Sequence, residues 1–461
     1  MIRSVSGRVF VASCFALAAG ACSSSPGNSS GSGGAGSGGA TGSGSGGAGT
    51  GGAGAGSGGS TGSGGAAATG GSTGSGGAVT DAGSDTSSTD AGSDTSATDS
   101  GMPATAAFKL GTVATWHGNA TAAYSIIHDD ICWDSVGGAL AIAEPAQTSR
   151  GIHGGYGVIT SACDDAKWAQ VKKVIADGHD VFNHSTDHPC MTNDKNLAGA
   201  CDPAAPLSTD FMTEIDNSTT TLKTKLGIPI QFFIFPYDVC DPAAIARLKS
   251  LNYLGARCGT DVPTTNTANF PDTFKLNFDV WGPAYSTYIT DPRCAGVVQY
   301  MSTPAMSPVA CRQLILQKLV DDTIAAKGWG IREVHGFVGD PDVWEALPPD
   351  EYMAHLDYVK MKMDAGQLWA EGPTPVLRYR WARQYCTMPT LTGSTLKFGT
   401  QPANCLTYDT VLSYLVTTTD GSDPTTLKVQ QGGKTLPVRR LAKGSYAVDA
   451  DPTKGDATIV Q

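Results

Sequence analysis

From Phe108 onward, short apolar runs alternate with longer amphipathic stretches, the pattern of strands joined by helices into a parallel sheet. The first run, residues 122–127, reads as a strand. Trp168, Val171 and Ile175 share one face of a helix over residues 165–176, with Gly178 just past its end. A strand follows at 180–183. A helix over 211–226 stops at Gly227, and the aromatic and β-branched run 231–235 is the next strand. Asp241 and Pro242 supply an N-cap and a first-turn proline for a helix reaching 251, followed by a strand at 253–257. Further on, 311–326 reads as a helix and 330–334 as a strand. Residues 352–364 form a helix stopped by Gly366, and 368–370 close the series. So many strand-then-helix units predict an α/β parallel barrel over 107–385, with a doubly wound sheet as the alternative.

Past Cys386 the texture changes to short alternating runs at 411–416, 426–429 and 445–448, separated by Gly and Asp turns. Residues 386–461 therefore read as a small all-β module. A stabilising appendage is the expected role, and glycan binding the alternative one.

The chain has a different character before residue 106. Arg3 and Arg8, an apolar stretch over 9–19 and Ala19-Gly20-Ala21-Cys22 have the layout of a signal peptide over 1–21, too short to span a membrane permanently. Cys22 after three small residues resembles a bacterial lipoprotein processing site, with plain secretion as the other outcome. Residues 22–106 are nearly all Gly, Ser, Ala and Thr and cannot offset the entropy of ordering. As a flexible coil they form a tether of about 80 residues reaching on the order of 50 Å.

Setting aside Cys14 and Cys22 leaves ten of the twelve cysteines, an even number suited to an exported protein. Cys190 with Cys201, Cys240 with Cys258, and Cys386 with Cys405 are plausible neighbours. No CxxC pairs occur, which argues against a structural zinc cluster. The net charge of -11 with no basic run argues against nucleic acid and favours neutral partners. A monomer is expected.

Of eight histidines, His184, His188 and His335 fall at the ends of predicted strands, the edge on which parallel α/β folds build their sites. Asn183-His184-Ser185-Thr186-Asp187-His188 spaces two imidazoles by four residues, as on one face of a helical turn, the spacing for chelation. Alone the spacing is weak. The first strand, however, ends in His128-Asp129-Asp130. Adjacent residues diverge in direction, so Asp130 can join the histidines on a cation while Asp129 stays free to take a proton. A solvated turn is the plain reading of Asp-Asp alone, and the histidines displace it.

These residues resemble the polysaccharide deacetylase, or NodB-homology, family of carbohydrate esterases. Its T-F-D-D-G motif appears as Ile127-His128-Asp129-Asp130-Ile131, and its H-[ST]-x-x-H motif in full as His184 to His188, preceded by Gly178-His179-Asp180-Val181. Its R-x-P-Y motif survives as Phe235-Pro236-Tyr237, with Ile234 in place of arginine; Arg257, at the end of the next strand, is the available substitute. An apolar strand leading to His335 matches the last motif. The resemblance covers about residues 108–385.

It implies a distorted parallel barrel that hydrolyses N- or O-acetyl groups on a glycan, using one divalent ion, Zn2+ first, on Asp130, His184 and His188. Asp129 is then the base, the backbone N–H of Tyr237 an oxyanion donor, and His335 the acid. Asp279 is the candidate carboxylate behind His335, although the family's spacing to tryptophan selects Asn277. Trp281, Trp344 and Tyr285 are candidates for stacking on sugars, with core or loop packing as the plain reading. The contrasting expectation is a glycan-binding protein of the same scaffold with weakened turnover, suggested by Ile234.

Overall fold

A computed structural model describes residues 106–461 except 200, 203–204, 259–265, 270–271, 282–289, 296–307, 342 and 344–345. The signal peptide, Cys22, almost all of the tether, Trp344 and Tyr285 therefore lie outside the described residues.

The strands are β1 (Phe108–Val113), β2 (Ala122–Ile131), β3 (Gly155–Val158), β4 (Asp180–Asn183), β5 (Phe232–Ile234), β6 (Gly255–Arg257), β7 (Asp279–Val280), β8 (Trp329–Val334) and β9 (Leu368–Ala370). Seven form one parallel, curled sheet in the order β6-β5-β4-β3-β2-β8-β7. An isolated parallel bridge between Arg257 and Leu276 links β6 to the segment entering β7, bringing the two edges together. β9 pairs with Ala122–Tyr124 while β3 takes Ile127 onward, so β9 wedges in beside the start of β2. The expected distorted barrel is what the chain forms.

Alternation along the strands sorts the core. Ile127, Phe182, Ile234, Phe278, Val280 and Ile331 point inward and pack together. Their neighbours face the helices: Ile126 and Val334 meet Ile315 and Leu356, and Val158 and Val181 meet Trp168 and Leu222. The helix Asp165–Ala176 begins on Asp164, whose side chain accepts from Lys167 N–H. Gly227, at φ 70°, ends the helix Ser218–Leu226 in the left-handed conformation that glycine tolerates.

The β module is built from β10 (Thr390–Thr392), β11 (Thr395–Lys397), β12 (Leu412–Thr418), β13 (Lys428–Gln431), β14 (Lys434–Leu436), β15 (Val438–Ala442), β16 (Ser445–Ala450) and β17 (Ala457–Val460). It forms two antiparallel sheets, β1-β12-β16-β15 and β10-β11-β17-β13-β14, around one core of Tyr414, Val416, Tyr446, Val448, Val429 and Ile459. One strand from the stretch 107–385 pairs in the module instead: β1 sets Phe108 opposite Thr418 and Lys109 opposite Thr417. An edge strand is satisfied wherever a partner edge is open, and sequence order does not dictate which.

All ten cysteines considered above are paired: Cys132–Cys163, Cys190–Cys201, Cys240–Cys258, Cys294–Cys311 and Cys386–Cys405. Five disulfides are the mark of an exported protein. Among the described residues, no helix is long and apolar enough to cross a membrane.

Candidate active site at the open end of the barrel

The two acids at the end of β2 owe their directions to a bulge. In the pairing with β3, His128 stands opposite Tyr156 and Ile131 opposite Val158, so Asp129 and Asp130 together oppose Gly157. Asp130 takes φ 60°, a left-handed conformation that is uncommon for a residue with a side chain. Such an insertion breaks strict alternation and re-aims a side chain, so both carboxylates reach one site. Gly157 lies opposite it in a tight space: a Cβ there would stand 3.1 Å from the Phe182 ring and 3.5 Å from the His184 Cβ.

The His184-to-His188 segment is a loop rather than the helical turn expected from its spacing, with Ser185 at φ 72° and His188 at φ 57°. Its backbone is tied down locally. Ser185 N–H donates to Asn183 Oδ1 at 2.9 Å, and His188 N–H to Ser185 Oγ at 2.9 Å. Buried Glu214 accepts from Thr186 and Asp187 N–H at 3.2 and 3.1 Å. Of the ten non-glycine residues with positive φ among those described, Asp130, Cys132, Ser185, His188, Tyr237 and Asp238 all lie in this region. Backbone strain concentrated in one place is a mark of a functional site.

Asp130, His184 and His188 converge. Their donor atoms lie within 4.8 Å of one another, with Nε2 of His184 and His188 at 3.2 and 3.3 Å from Asp130 Oδ1. Ligand arms of ~2.1 Å in a tetrahedral array are separated by about 3.4 Å, so these spacings fit one divalent ion. His184 Nδ1–H donates to the Ile234 carbonyl at 2.9 Å, which fixes the tautomer and leaves Nε2 as the free donor atom. Burial pushes His188 down to about 4, keeping that imidazole neutral as a ligand must be. Burial alone would raise the Asp130 carboxyl, but His184 and the other imidazoles around it hold it well below the usual carboxylate range.

Beside this set, Arg257 gathers three carboxylates. Its Nη1 is 2.7 Å from Asp129 Oδ2 and 3.3 Å from Glu333 Oε2, while Nε and Nη2 each stand 2.9 Å from Asp238 Oδ1. The guanidinium also lies over the Phe278 ring at 4.5 Å. Asp129, Glu333 and His335 form a second cluster of possible ligands, but the guanidinium already fills the space between the two acids. One guanidinium thus stands among the carboxylates of Asp129, Asp130, Asp238 and Glu333, surroundings that suit a divalent ion on Asp130 and the histidines. Asp129 Oδ1 is buried with no hydrogen-bond partner among the described residues.

His335 Nε2 lies 3.4 Å from Glu333 Oε1 and 3.9 Å from Asp130 Oδ2. Burial lowers its pKa, against the pull of the Asp130 and Asp129 carboxylates. Tyr237 closes the other side, at φ 55° with its ring centroid 4.9 Å from that of His188.

Residues 148–256 match a family model described as polysaccharide deacetylase. This part of the chain is similar to the polysaccharide deacetylase family. The matched stretch holds His184, His188 and Tyr237; Asp129, Asp130 and His335 fall outside it. Among solved structures, the chain is similar to the Xyl-CE4 domain of a multidomain xylanase from the hindgut metagenome of Trinervitermes trinervoides, at 12% identity over 55% of this chain and 89% of that one, with a TM-score of 0.32. It is also similar to a family 4 carbohydrate esterase from Streptomyces lividans in complex with acetate, at 14% over 54% and 91%, TM-score 0.31. A wild-type CE4 family pseudoenzyme from Bacillus anthracis matches at 12% over 57% and 66%, TM-score 0.34. No curated protein matches the chain.

Two candidates drawn from the deacetylase resemblance need correcting. Asp279 is ion-paired with Arg332, and both are fully buried. The reason is strand alternation: Asp279 stands beside Arg332 in the β7–β8 pairing, on the helix-facing side, while Glu333 and His335 point into the barrel. Glu333 is the carboxylate that meets His335 here. Trp281 is only 1% exposed, packed in the core among residues such as Ile315 and Leu319, so it offers no face to a sugar. Glu333, Asp238 and the supporting Glu214 were not picked out from the sequence; the alternation of Ile331, Glu333 and His335 was the available signal for the first.

Proposed function

We propose that the protein hydrolyses N- or O-acetyl groups from a carbohydrate polymer or oligosaccharide, with one divalent ion, zinc by preference, held by Asp130, His184 and His188. The observation that carries this reading is a compact two-histidine, one-aspartate set with a separate buried carboxylate, Asp129, beside it. When bound, the ion supplies Lewis acidity, polarising an acetyl carbonyl and making water a better acid.

The remaining work falls to the chain's own groups. Asp129 Oδ1 takes the proton of the attacking water, while Arg257 on Oδ2 keeps the carboxylate in place. The backbone N–H of Tyr237 donates to the negative charge that develops on the acetyl carbonyl oxygen. His335 passes a proton to the departing amine or alcohol, and Glu333 Oε1 at 3.4 Å stabilises its imidazolium. The feature that favoured a binding protein without turnover, Ile234 at the arginine position, is answered by Arg257 in the neighbouring strand. A signal peptide, a lipid on Cys22 and the tether of residues 22–106 would set this activity outside the cell membrane, within reach of surrounding polymer.

The test is acetate release from chitin fragments, peptidoglycan and acetylxylan. Release from at least one substrate, abolished by a chelator and restored by zinc, is the expected result. Release that persists in chelator and in Asp130→Ala would sink the proposal.

A further inference from the structure

Trp133 stands on the rim beside the candidate metal ligands and takes no part in the chemistry assigned above. It is 36% exposed, and its ring centroid is 4.8 Å from that of His188, whose ring also neighbours those of His184 at 4.7 Å and Tyr237 at 4.9 Å. The tyrosine is turned into the site, whereas the tryptophan presents a large apolar area to solvent.

The segment that carries this indole is held from several directions. Trp133 N–H donates to Asp130 O at 3.0 Å, fixing it to the β2 bulge. Cys132 before it is bonded to Cys163 and its carbonyl accepts from Lys167 Nζ at 2.7 Å; Asp134 after it pairs with Lys167 at 2.8 Å. Farther along, Gly138 N–H donates to Asp340 Oδ1 at 2.9 Å, and Asp340 Oδ2 accepts from Phe337 N–H at 2.8 Å, joining this rim to the loop after β8. A Cβ at Gly138 would stand 2.7 Å from both Asp340 Oδ2 and the Phe337 ring, so the two loops are in close contact.

A large aromatic side chain left in water loses the stabilisation it would gain in a core, and here its backbone is fixed on both sides. That is the arrangement of a preorganised contact, which spends little ordering entropy when a ligand arrives. The CH-rich face of a pyranose is both flat and weakly polar, and an exposed indole matches it.

Resting on the hydrolase reading, we propose that Trp133 is a specificity-determining residue: its indole stacks on a pyranose ring next to the acetylated unit, so that the protein selects oligosaccharides over small acetyl esters. The sugar seated there adjoins the reacting one because the indole adjoins His188. Trp133 acts by binding substrate and moves no proton.

The experiment compares wild type, Trp133→Ala and Trp133→Tyr on an acetylated oligosaccharide series of one to five sugars and on an aryl acetate without a sugar. For substrates of two or more sugars, Trp133→Ala should raise KM by ~10-fold more than it does for the aryl ester, and Trp133→Tyr should recover most of the loss. Equal losses on the ester and the oligosaccharides, or no rise in KM with any of them, would overturn the proposal. If wild type releases no acetate from any substrate, the hydrolase reading fails separately. Calorimetric binding of the same oligosaccharides then decides Trp133: affinity weakened by ~10-fold in Trp133→Ala supports the platform, and unchanged affinity overturns it.

Discussion

Arg257 brings a cation to the buried acids from the strand beside the motif position. Ile234 and Arg257 are register partners in adjacent strands, so the cation sits one strand to the side of the motif position, at the same level of the barrel. It binds Asp129, Asp238 and Glu333 together. Removing it outright would leave buried acids uncompensated, a loss of about 3–5 kcal/mol of stability for a broken buried pair. Arg257→Lys is the more informative change, since it keeps the charge and loses the fork. Acetate release should fall by roughly 10²-fold through misplacement of Asp129, with thermal melting used to show that the barrel still folds. An unchanged rate would mean that Arg257 does not orient the base. At this scale two motifs made Asp130, His184 and His188 legible, because each motif is local in the chain. Arg257 and Glu333 were harder to assign, because what matters is which residues lie abreast across strands. β7 spans only Asp279–Val280, too short for its inward and outward sides to be read from alternation.

Elements were legible where caps and periodicity agree. Asp165–Ala176 and Asp180–Asn183 form with the bounds their patterns predict. The bulge in β2 and the loop after β4 left no such signature, since Asp130, Ser185 and His188 adopt left-handed backbone without being glycine. The joint between β4 and the helix Pro373–Tyr385 gives a prediction that depends on pH. Asp180 Oδ2 accepts from Thr374 N–H at 2.7 Å in the first turn of that helix, and burial pushes its pKa up to about 6. Unfolded, the group titrates near 3.9, so the folded state holds the proton more tightly. Its contribution is fully present below the unfolded value and is lost as pH rises through 6. Asp180→Asn keeps an acceptor for Thr374 and removes the titration. Between pH 4 and pH 7 the melting temperature of wild type should fall relative to that of Asp180→Asn; a constant difference would rule out this linkage.

Across the whole molecule, the described residues form one compact unit in which β1 joins the sandwich before β2 enters the barrel. The order of strands and helices made the barrel legible, but the exchange of β1 was not, because antiparallel pairing over some 300 residues leaves no local mark in a six-residue strand. What the assembled barrel adds is the parting of two adjacent aspartates, Asp130 toward the histidines and Asp129 toward Arg257. That division is the central claim, and it is tested most directly by measuring bound metal and acetate release together on wild type and Asp129→Asn. The account predicts one divalent ion per chain in both proteins, with acetate release slowed at least ~10²-fold in the variant. Wild-type turnover by metal-loaded Asp129→Asn, or loss of the ion along with the activity, would contradict it.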